Sequence, residues 1–487
     1  MKKTNALLLA LLLCLPLYAA PDKFEPTRNL IRQQLTQDHV PSIAVAVAQH
    51  GRILWEEGFG WANREQRIPA TEHTMYSLAS ISKPFTATGL MTLVAAGKID
   101  LDRPINDYLG DAKLIARVGD AKDATVRRVA NHTSGLPMHY HFFYPDEPWK
   151  KPSMDETILR YGNLIVAPGE KYEYSNLGFG IIDYVLQRTS GESYPDFMRE
   201  AVFEPLGLTH TSVNVGPGLE KFQAQRYTDD GTPVSFYDFD HVGGSALFSS
   251  AHDLVRFGMF HLKDHLADQK QILSDAAIDE AHRATANVSP RGGYAIGWFT
   301  NDRPDGYHTV THSGSMLGVA TYLLLVPSED IAVVVLSNCG HYARTEIYDE
   351  IMKALLPKWK KTDPETDEPI TKFQPDATLL GAWKGSVHTY QSDLPLTLQI
   401  FDSGEVHAKL GDQLVSLVND VSFKDGYLSG QMLGDLGTDD VNRHRPYQLL
   451  LSLKLRGSVL NGGVAALSSD REHDYYALTH WTELKKQ

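Results

Sequence analysis

Residues 76–94 read YSLASISKPFTATGLMTLV and place a polar pair at the start of an apolar helical pattern. Pro84 favours a helix start here, because proline is tolerated in a first turn, where N–H groups have no intrahelical partner, and breaks a helix interior. The sequence therefore predicts a helix that begins near Ile81, with Ser80 at or near its N-cap. Residues three apart on a helix are neighbours, so the Lys83 amine should lie beside the Ser80 hydroxyl.

This Ser-x-x-Lys pair has the parts of an activated nucleophile. A serine is a poor nucleophile until a neighbour takes its proton, and the positive end of a helix dipole favours an alkoxide. The pattern occurs once in the chain, at Ser80 and Lys83. A serine, a lysine and a helix start can also coincide without chemistry, so a structural role stays open for the pair alone.

The composition is that of a globular protein and gives no sign of nucleic-acid binding. The 487 residues suffice for two or three domains. Hydrophobic residues make up 42% and charged residues 22%, which is ordinary globular usage. The charge is −14, from 46 basic and 60 acidic residues, and no basic patch occurs. Nucleic acid is therefore not an expected partner.

Residues 1–20, MKKTNALLLALLLCLPLYAA, form a signal-peptide pattern of lysines, an apolar run and small residues. We expect cleavage near Ala19 or Ala20 and a protein that is periplasmic or secreted. The apolar run is too short for a comfortable membrane span, and no integral membrane segment is expected. Cys14 follows leucines, whereas a lipoprotein signal has a small residue there, so lipidation is a minor alternative. Without Cys14, Cys339 is alone and no internal disulfide can form.

Strand patterns stand at both ends of the first 357 residues. The runs 43–49 and 52–59 read as a hairpin, and 321–326 and 331–336 are apolar, β-branched runs that predict buried strands. The stretch between them is mostly helical in pattern. These features predict an α/β (α+β) fold, in which an antiparallel sheet built from both ends is covered by helices and accompanied by an all-helical subdomain. Helices are predicted at 26–38, 153–161, 177–188, 194–202, 250–266, 274–283 and 342–356.

The remaining chain has a different character. Residues 358–377 are charged and contain prolines, which is typical of a linker. Residues 378–487 show short alternating strands at regular spacing, which predicts a small all-β barrel or sandwich. The aromatic segment 138–149, MHYHFFYPDEPW, is interpreted as a packed loop, with a lid or cleft wall as the alternative. C-terminal strands are predicted at 383–390, 396–402, 404–409, 413–418, 427–432, 446–455, 458–466 and 474–482.

Three motifs follow one another along the chain. They are Ser80-x-x-Lys83, Tyr174-Ser175-Asn176 and His312-Ser313-Gly314. In this order they resemble the motifs of the serine β-lactamase and penicillin-binding protein superfamily, for which Ser-x-x-Lys is a known signature. The Tyr-x-Asn form is similar to the branch of class C β-lactamases and their DD-peptidase, D-aminopeptidase and esterase relatives. The resemblance covers residues 25–357 and implies a β-lactamase-like serine hydrolase domain over 21–357.

The resemblance implies a role for each motif residue. Ser80 would be the nucleophile that becomes acylated, Lys83 would lower its pKa and relay the proton, and Tyr174 would act as general base and then protonate the leaving group. A lysine is normally protonated at neutral pH, so burial or nearby cations would have to depress its pKa; nearby cations would also favour a tyrosine phenolate. The substrate-binding positions implied are Asn176, His312, Gly314 and Ser315, with the N–H groups of residues 80 and 315 as the oxyanion hole.

Other copies of these patterns are decoys by context. Tyr161-Gly162-Asn163 lacks the preceding Pro-Gly turn, and His241-Val242-Gly243 lacks a following β-hairpin. Lys409-Leu410-Gly411 lies in the separate C-terminal region. Only the set that starts at Ser80 has each member in fitting context.

Histidine at position 312 stands where many β-lactamases carry lysine. A lysine can grip a carboxylate with a permanent charge, whereas a histidine is charged only part of the time near neutral pH. The sequence therefore predicts hydrolysis of a peptide or ester, with weak β-lactam turnover at most. A true class C-type β-lactamase and a penicillin-binding sensor without turnover are the alternatives.

Two further readings concern the barrel and metals. Residues 381–385, GAWKG, resemble the start of lipocalin-like barrels. His139-x-His141 and His132 lie close together, but no His-Glu-x-x-His or Cys-x-x-Cys accompanies them, and no Gly-x-Ser-x-Gly of an α/β-hydrolase occurs. We therefore expect no metal and no cofactor, and a small-molecule or peptide substrate. The oligomeric state and the substrate stay open.

Overall fold

The computed structural model describes residues 22–340, 344–361, 372–444 and 448–487. The predicted signal peptide, residues 1–20, and residues 362–371 of the predicted linker lie outside the described residues. Within the described ranges, no helix has both the length and the apolar character that crossing a bilayer requires.

A nine-stranded antiparallel sheet forms the centre of the N-terminal region. Strand Ser42–Gln49 lies between its hairpin partner and Ile331–Ser337, with Val45 opposite Val335. The prediction that both ends of this region build one sheet is thus confirmed. In spatial order the strands are Ala286–Asn287, Gly292–Tyr294, Phe299–Asp302, His308–Met316, Val319–Val326, Ile331–Ser337, Ser42–Gln49, Arg52–Asn63 and Ile68–Pro69.

Helices cover both faces of this sheet. On one face Val45 and Val333 pack with residues of the terminal helices Glu25–Gln37 and Arg344–Leu355. On the other face Ala44, Ala46 and Val334 belong to the larger core, which includes helix Ala251–Leu262. Successive side chains of a strand point to opposite faces, so a strand covered on both sides is apolar throughout.

The helical patterns of the middle region are confirmed with small shifts. The helix predicted over 250–266 ends at Leu262, because Lys263 adopts a left-handed φ of 69°. A short three-stranded sheet of Tyr76–Ser77, Leu247–Ser249 and Thr211–Val213 and the pair Ile115–Ala116 and Asn163–Leu164 lie among the helices. The remaining α-helices are Ser82–Ala95, Val126–Ala130, Met154–Tyr161, Asn176–Ser190, Tyr194–Met198, Val242–Ser245 and Asp275–His282.

The segment around Ser80 departs from the prediction in one respect. Residues Ala79–Ile81 form a 3₁₀ turn and the α-helix begins at Ser82, one residue from the predicted start. The N-cap residue is Ile81, so Ser80 lies next to the N-cap, as predicted, although no side chain caps this helix. The Ser80 hydroxyl instead lies against the Lys83 amine. Ala79 has a φ of 48°, an unfavourable left-handed conformation for an L-residue other than glycine.

The C-terminal region is a nearly closed antiparallel barrel. Its interior is filled by buried apolar side chains such as Trp383, Leu398 and Leu451. The first and last strands of its path, Ser416–Leu417 and Asn419–Lys424, are successive in the chain. The strand predicted at 413–418 is much shorter than expected, and strand Asn419–Lys424 was not predicted. In spatial order the strands are Ser416–Leu417, Val406–Leu410, Asp393–Ile400, Gly381–His388, Asp474–Lys486, Val459–Ser469, Gln448–Arg456, Tyr427–Leu433 and Asn419–Lys424.

A strand of the N-terminal region continues the barrel sheet. Tyr140–Phe143 pairs with barrel strand Asp474–Lys486 on one side and with Asp238–Phe239 on the other. The interpretation of residues 138–149 as a packed loop is therefore wrong at its centre. Aromatic and histidine side chains occupy both faces of this strand, so the sequence shows no alternation of polar and apolar residues.

Ion pairs add to this contact between the two regions. Glu170, just before the second motif, pairs with Arg456 at 2.9 Å and with Lys454 of the barrel. Arg443 pairs with Glu147 at 3.0 Å. The barrel thus contacts the loop that leads to Tyr174.

Candidate active site

The first two motifs meet at the Lys83 amine. Its Nζ lies 3.0 Å from Ser80 Oγ, 2.8 Å from Asn176 Oδ1 and 2.9 Å from the Gly244 carbonyl oxygen. Lys83 itself is fully buried, whereas Ser80 is partly exposed. Ser80 is therefore accessible to solvent while its partner Lys83 is not.

Burial changes the protonation of Lys83. Removal from water disfavours the ammonium form and holds the pKa of Lys83 well below 10.5. The oxygens of Asn176 and Gly244 can only accept hydrogen bonds, so they take two N–H groups of the amine. An unprotonated amine has two such groups and one lone pair. The lone pair is then left for the Ser80 hydroxyl, in position to receive its proton.

The ring of Tyr174 lies close to the Lys83 amine. Lys83 Nζ is 4.8 Å from the centre of the Tyr174 ring. Burial raises the pKa of Tyr174 above its ordinary value, and a hydrogen bond with Ser80 offsets only part of that rise. The expectation that nearby cations would favour a phenolate is thus wrong for this site. Tyr174 therefore holds its proton at neutral pH, and Lys83, whose pKa is lowered, is the first of the two to lose its proton as pH rises.

The second motif is held in place by His132. Its Nδ1 accepts a hydrogen bond from the Ser175 N–H at 3.1 Å, and its carbonyl accepts one from Glu173 N–H at 2.8 Å. The ring lies 4.4 Å from that of Tyr174. Ser175 caps helix Asn176–Ser190, which fixes Asn176 in the first turn. In the sequence His132 lies close to His139 and His141, a grouping that was rejected as a metal site for lack of a metal motif, and the fold brings His132 to the second motif.

His312 is a neutral, internal residue. It is 1% exposed, and burial lowers its pKa to about 3. Its Nδ1–H donates to the Ser313 carbonyl at 2.8 Å, so its Nε2 accepts from the Tyr294 hydroxyl at 3.0 Å. Tyr294 has no motif signal in the sequence and was not predicted. The third motif therefore presents no positive charge at residue 312.

Gly314 allows the third motif to approach the turn that carries Ser80. A Cβ at this position would lie 2.0 Å from the Leu78 carbonyl oxygen and 2.3 Å from Thr321 Oγ1. Only glycine fits this contact between the strand and the turn that carries Ser80. The next residue, Ser315, is exposed, so the strand reaches solvent directly beyond the close approach.

The decoy motifs do not join this site. The Tyr161 hydroxyl donates to Asp440 Oδ2 at 2.7 Å, beside the barrel. Lys409 is exposed on barrel strand Val406–Leu410. His241 contacts Asp240, although the helical turn that follows it supplies the Gly244 carbonyl to Lys83. A backbone acceptor has no residue signature, which is why sequence reasoning missed Gly244.

Comparison with known proteins agrees with this geometry. Residues 27–356, more than half of the chain, match the profile of the family described as Beta-lactamase. The chain belongs to the Beta-lactamase family. This match agrees with the resemblance that the three motifs carry.

Two relatives of this β-lactamase-family chain have curated names. Protein flp of Staphylococcus aureus strain MRSA252 is 25% identical over 327 residues, which are 65% of this chain and 63% of that protein. Penicillin-binding protein 4* of Bacillus subtilis strain 168 is 26% identical over 347 residues, 66% of this chain and 73% of its own length. The chain thus spans less than two thirds of the flp protein.

Solved structures show the β-lactamase fold at lower identity. The octameric penicillin-binding protein homologue from Pyrococcus abyssi is 20% identical with a TM-score of 0.59 and covers 93% of this chain and 99% of its own. A class C beta-lactamase is 20% identical with a TM-score of 0.60 and covers 68% of this chain and 96% of its own. The recognised superfamily and the fold class are confirmed by these comparisons.

Proposed function

We propose that this β-lactamase-family chain cleaves a peptide or ester bond through an acyl-enzyme on Ser80, as a DD-peptidase, D-aminopeptidase or esterase. The single observation that carries the proposal is the group of three polar contacts that Lys83 Nζ makes. A buried amine with two N–H groups taken by carbonyl oxygens has its third position directed at a partly exposed serine hydroxyl. Serine nucleophiles need such an adjacent base.

Acylation follows from these positions. The Ser80 proton passes to Lys83 Nζ while Oγ bonds to the substrate carbonyl carbon, whose oxygen becomes an anion. The N–H groups of Ser80 and Ser315 are the proposed donors to that oxyanion. When the intermediate collapses, the bond to the leaving amine or alcohol breaks and the acyl group stays on Oγ.

Tyr174 is the proposed proton carrier in the same step. Because its pKa is raised, it enters the step as a phenol that can donate. It gives its proton to the leaving group and recovers one from Lys83, so the charge on the lysine is temporary. Water then attacks the Ser80 ester by the reverse proton route, which releases the acid and restores the serine.

The neutral His312 bears on the substrate class. A carboxylate next to the third motif would find no cation at residue 312, since both imidazole nitrogens already bond within the protein, and the Arg344 guanidinium at this motif donates to the Gly314 carbonyl at 2.7 Å. We propose substrates whose group at this position is neutral, such as amides and esters, with weak hydrolysis of carboxylate-bearing β-lactams. Asn176 is proposed to contact the substrate amide or ester as well as Lys83.

The test labels the mature protein with a fluorophosphonate and maps the adduct by mass spectrometry. We expect it on Ser80, and loss of labelling in Ser80→Ala but not in Ser82→Ala, because the Ser82 hydroxyl accepts from Leu247 N–H instead of contacting Lys83. An adduct on another residue would falsify the assignment of the nucleophile.

A second measurement separates the alternatives for the same serine. Product release from matched esters, D-amino-acid amides and penicillins is followed over time. Repeated turnover of amides or esters supports the proposal, and fast repeated turnover of penicillins indicates a true class C-type β-lactamase. A single stoichiometric burst with every substrate indicates a penicillin-binding sensor, and would overturn the hydrolase proposal.

We also propose that the chain is exported, on the signal-peptide pattern of residues 1–20. Mass analysis of the N-terminus after expression in a Gram-negative host tests this. A new terminus near Pro21 in the periplasmic or secreted fraction is expected, and an intact Met1 in the cytosol would contradict it.

A further inference from the structure

A second cluster of chemically active side chains lies beside the contact between the N-terminal region and the barrel. His139 Nε2 lies 2.7 Å from Asp240 Oδ2, and His241 Nδ1 lies 2.8 Å from Asp240 Oδ1. All three residues are buried, and one ligand atom from each lies within 4.8 Å of the others. None of them belongs to the three motifs.

Strand pairing brings these residues together from distant parts of the chain. His139 stands directly before strand Tyr140–Phe143, and Asp240 and His241 follow Asp238–Phe239. These two strands are antiparallel neighbours, so the start of one lies beside the end of the other. The pairing of these two strands therefore holds the three side chains of the cluster together.

The charge of Asp240 needs a partner inside the protein. Its side chain is fully buried, and its ion-pair partners in the described part of the chain are imidazoles only, at His139, His141 and His241. A buried carboxylate is costly unless a positive charge lies beside it. An imidazole supplies that charge only when protonated, whereas a divalent cation supplies it with both rings neutral.

The donor set is of the kind that zinc prefers. Zinc binds imidazole nitrogens and carboxylate oxygens, most often four donors in all. Each Asp240 oxygen faces one imidazole, so a chelating carboxylate and two ring nitrogens together make two nitrogen and two oxygen donors. We propose that His139, Asp240 and His241 form a binding site for a divalent transition-metal ion of the zinc class.

His141 is excluded from the set by its own hydrogen bond. Arg443 Nη1 donates to His141 Nε2 at 2.6 Å. That nitrogen therefore uses its lone pair on the arginine, and the proton of the neutral ring is on Nδ1, which lies 3.9 Å from Asp240 Oδ2. An ion bound to Asp240 would displace the ring protons that His139 and His241 direct at its carboxylate, whereas the His141 nitrogen nearest to Asp240 lies beyond hydrogen-bond distance. His141 thus belongs to the same cluster without being a ligand, which makes it a matched control.

The site is linked to the active site through the backbone. His241 directly precedes the helical turn Val242–Ser245, whose Gly244 carbonyl accepts from Lys83 Nζ at 2.9 Å. A bound ion would join this turn to strand Tyr140–Phe143, and through it to the barrel. The metal would have a structural role. It would supply no atom to the proposed acyl-enzyme reaction on Ser80.

The test uses the full mature chain, produced without a histidine tag, saturated with zinc and passed through gel filtration before elemental analysis. We expect about one zinc per chain, in keeping with a single three-residue site. Cobalt in place of zinc should give visible absorption of an ordered nitrogen and oxygen site. His139→Gln and Asp240→Asn should lose both signals, and His141→Gln should keep them.

Two results would overturn the metal site. One is wild-type protein that retains neither zinc nor cobalt, which would mean that Asp240 is balanced by protons on its imidazoles alone. The other is full metal content in folded His139→Gln. Circular dichroism of each variant identifies any that does not fold, and the cobalt titration of the wild type decides the question without variants.

Discussion

The replacement Asp183→Asn should stabilise the protein at alkaline pH. Asp183 is 4% exposed, and its Oδ2 accepts from the Gly243 N–H at 2.6 Å, in the turn that supplies a carbonyl to Lys83. Gln187 Nε2–H donates to Oδ1 at 3.3 Å. The side-chain oxygen of asparagine can still accept from the Gly243 N–H. The new NH₂ group at residue 183 can donate to the Gln187 side-chain oxygen, once that amide turns over. The substitution therefore removes the charge and leaves the contacts.

The magnitude follows from the pKa of Asp183. Burial raises it from 3.8 to about 7, so the folded state binds the proton more tightly than the unfolded state. The stabilisation is complete below the unfolded pKa of 3.8 and is lost as pH rises through about 7. Each pKa unit corresponds to about 1.4 kcal/mol, so the full window of about three units represents roughly 4 kcal/mol. When pH rises from about 5 to about 8, roughly 2–3 kcal/mol of this stabilisation is lost.

Urea unfolding of the two proteins at these pH values measures the effect. The difference in unfolding free energy, variant minus wild type, should grow by roughly 2–3 kcal/mol from about pH 5 to about pH 8. Asp196→Asn is the control, because Asp196 is exposed and its pKa is lowered by hydrogen bonds from Ser193 and Arg199. A difference for Asp183→Asn that stays constant with pH would refute the reasoning about its buried carboxyl.

Three further predictions concern the active site. The acylation rate should fall as pH is lowered through the depressed pKa of Lys83, because the ammonium form has no lone pair for the serine; a flat pH–rate profile from alkaline to acidic pH would contradict this. Gly314→Ala should reduce fluorophosphonate labelling by about 100-fold or more, since its Cβ would overlap the Leu78 carbonyl and displace the strand; labelling at the wild-type rate would contradict the close approach. His312→Lys should raise the kcat/KM ratio of carboxylate-bearing to amidated substrates by about 10- to 150-fold, the equivalent of a charged hydrogen bond of about 1.5–3 kcal/mol; an unchanged ratio would separate residue 312 from substrate selection.

The parts of the site that could be predicted from the sequence are residues close together in the chain or residues that belong to a recognisable motif. Ser80 and Lys83 are one helical turn apart, so their contact depends on few other residues. Asn176 and His312 are distant in sequence, and only the motif pattern could associate them with this pair. The buried strands were predictable because a strand covered on both faces must be apolar throughout.

The missed features depend on tertiary contacts that leave no local pattern. Gly244 takes part through a carbonyl, which every residue possesses. His132 and Tyr294 act on the motif residues from other segments, through single hydrogen bonds. Strand Asn419–Lys424 is largely polar and exposed, so its place in the barrel is set by pairing with Tyr427–Leu433 and not by burial. The protonation of Lys83 and Tyr174 likewise follows from burial, which motif spacing does not report.

The pairing of Tyr140–Phe143 with the strand Asp474–Lys486 has a consequence for biosynthesis. A ribosome that has just completed the residues around position 143 must add more than three hundred others before their hydrogen-bonding partner exists. Until then this aromatic edge is exposed, and exposed strand edges promote association between chains. A chaperone that shields the nascent segment, or a delay of folding until the last residues emerge, would protect the protein during this interval.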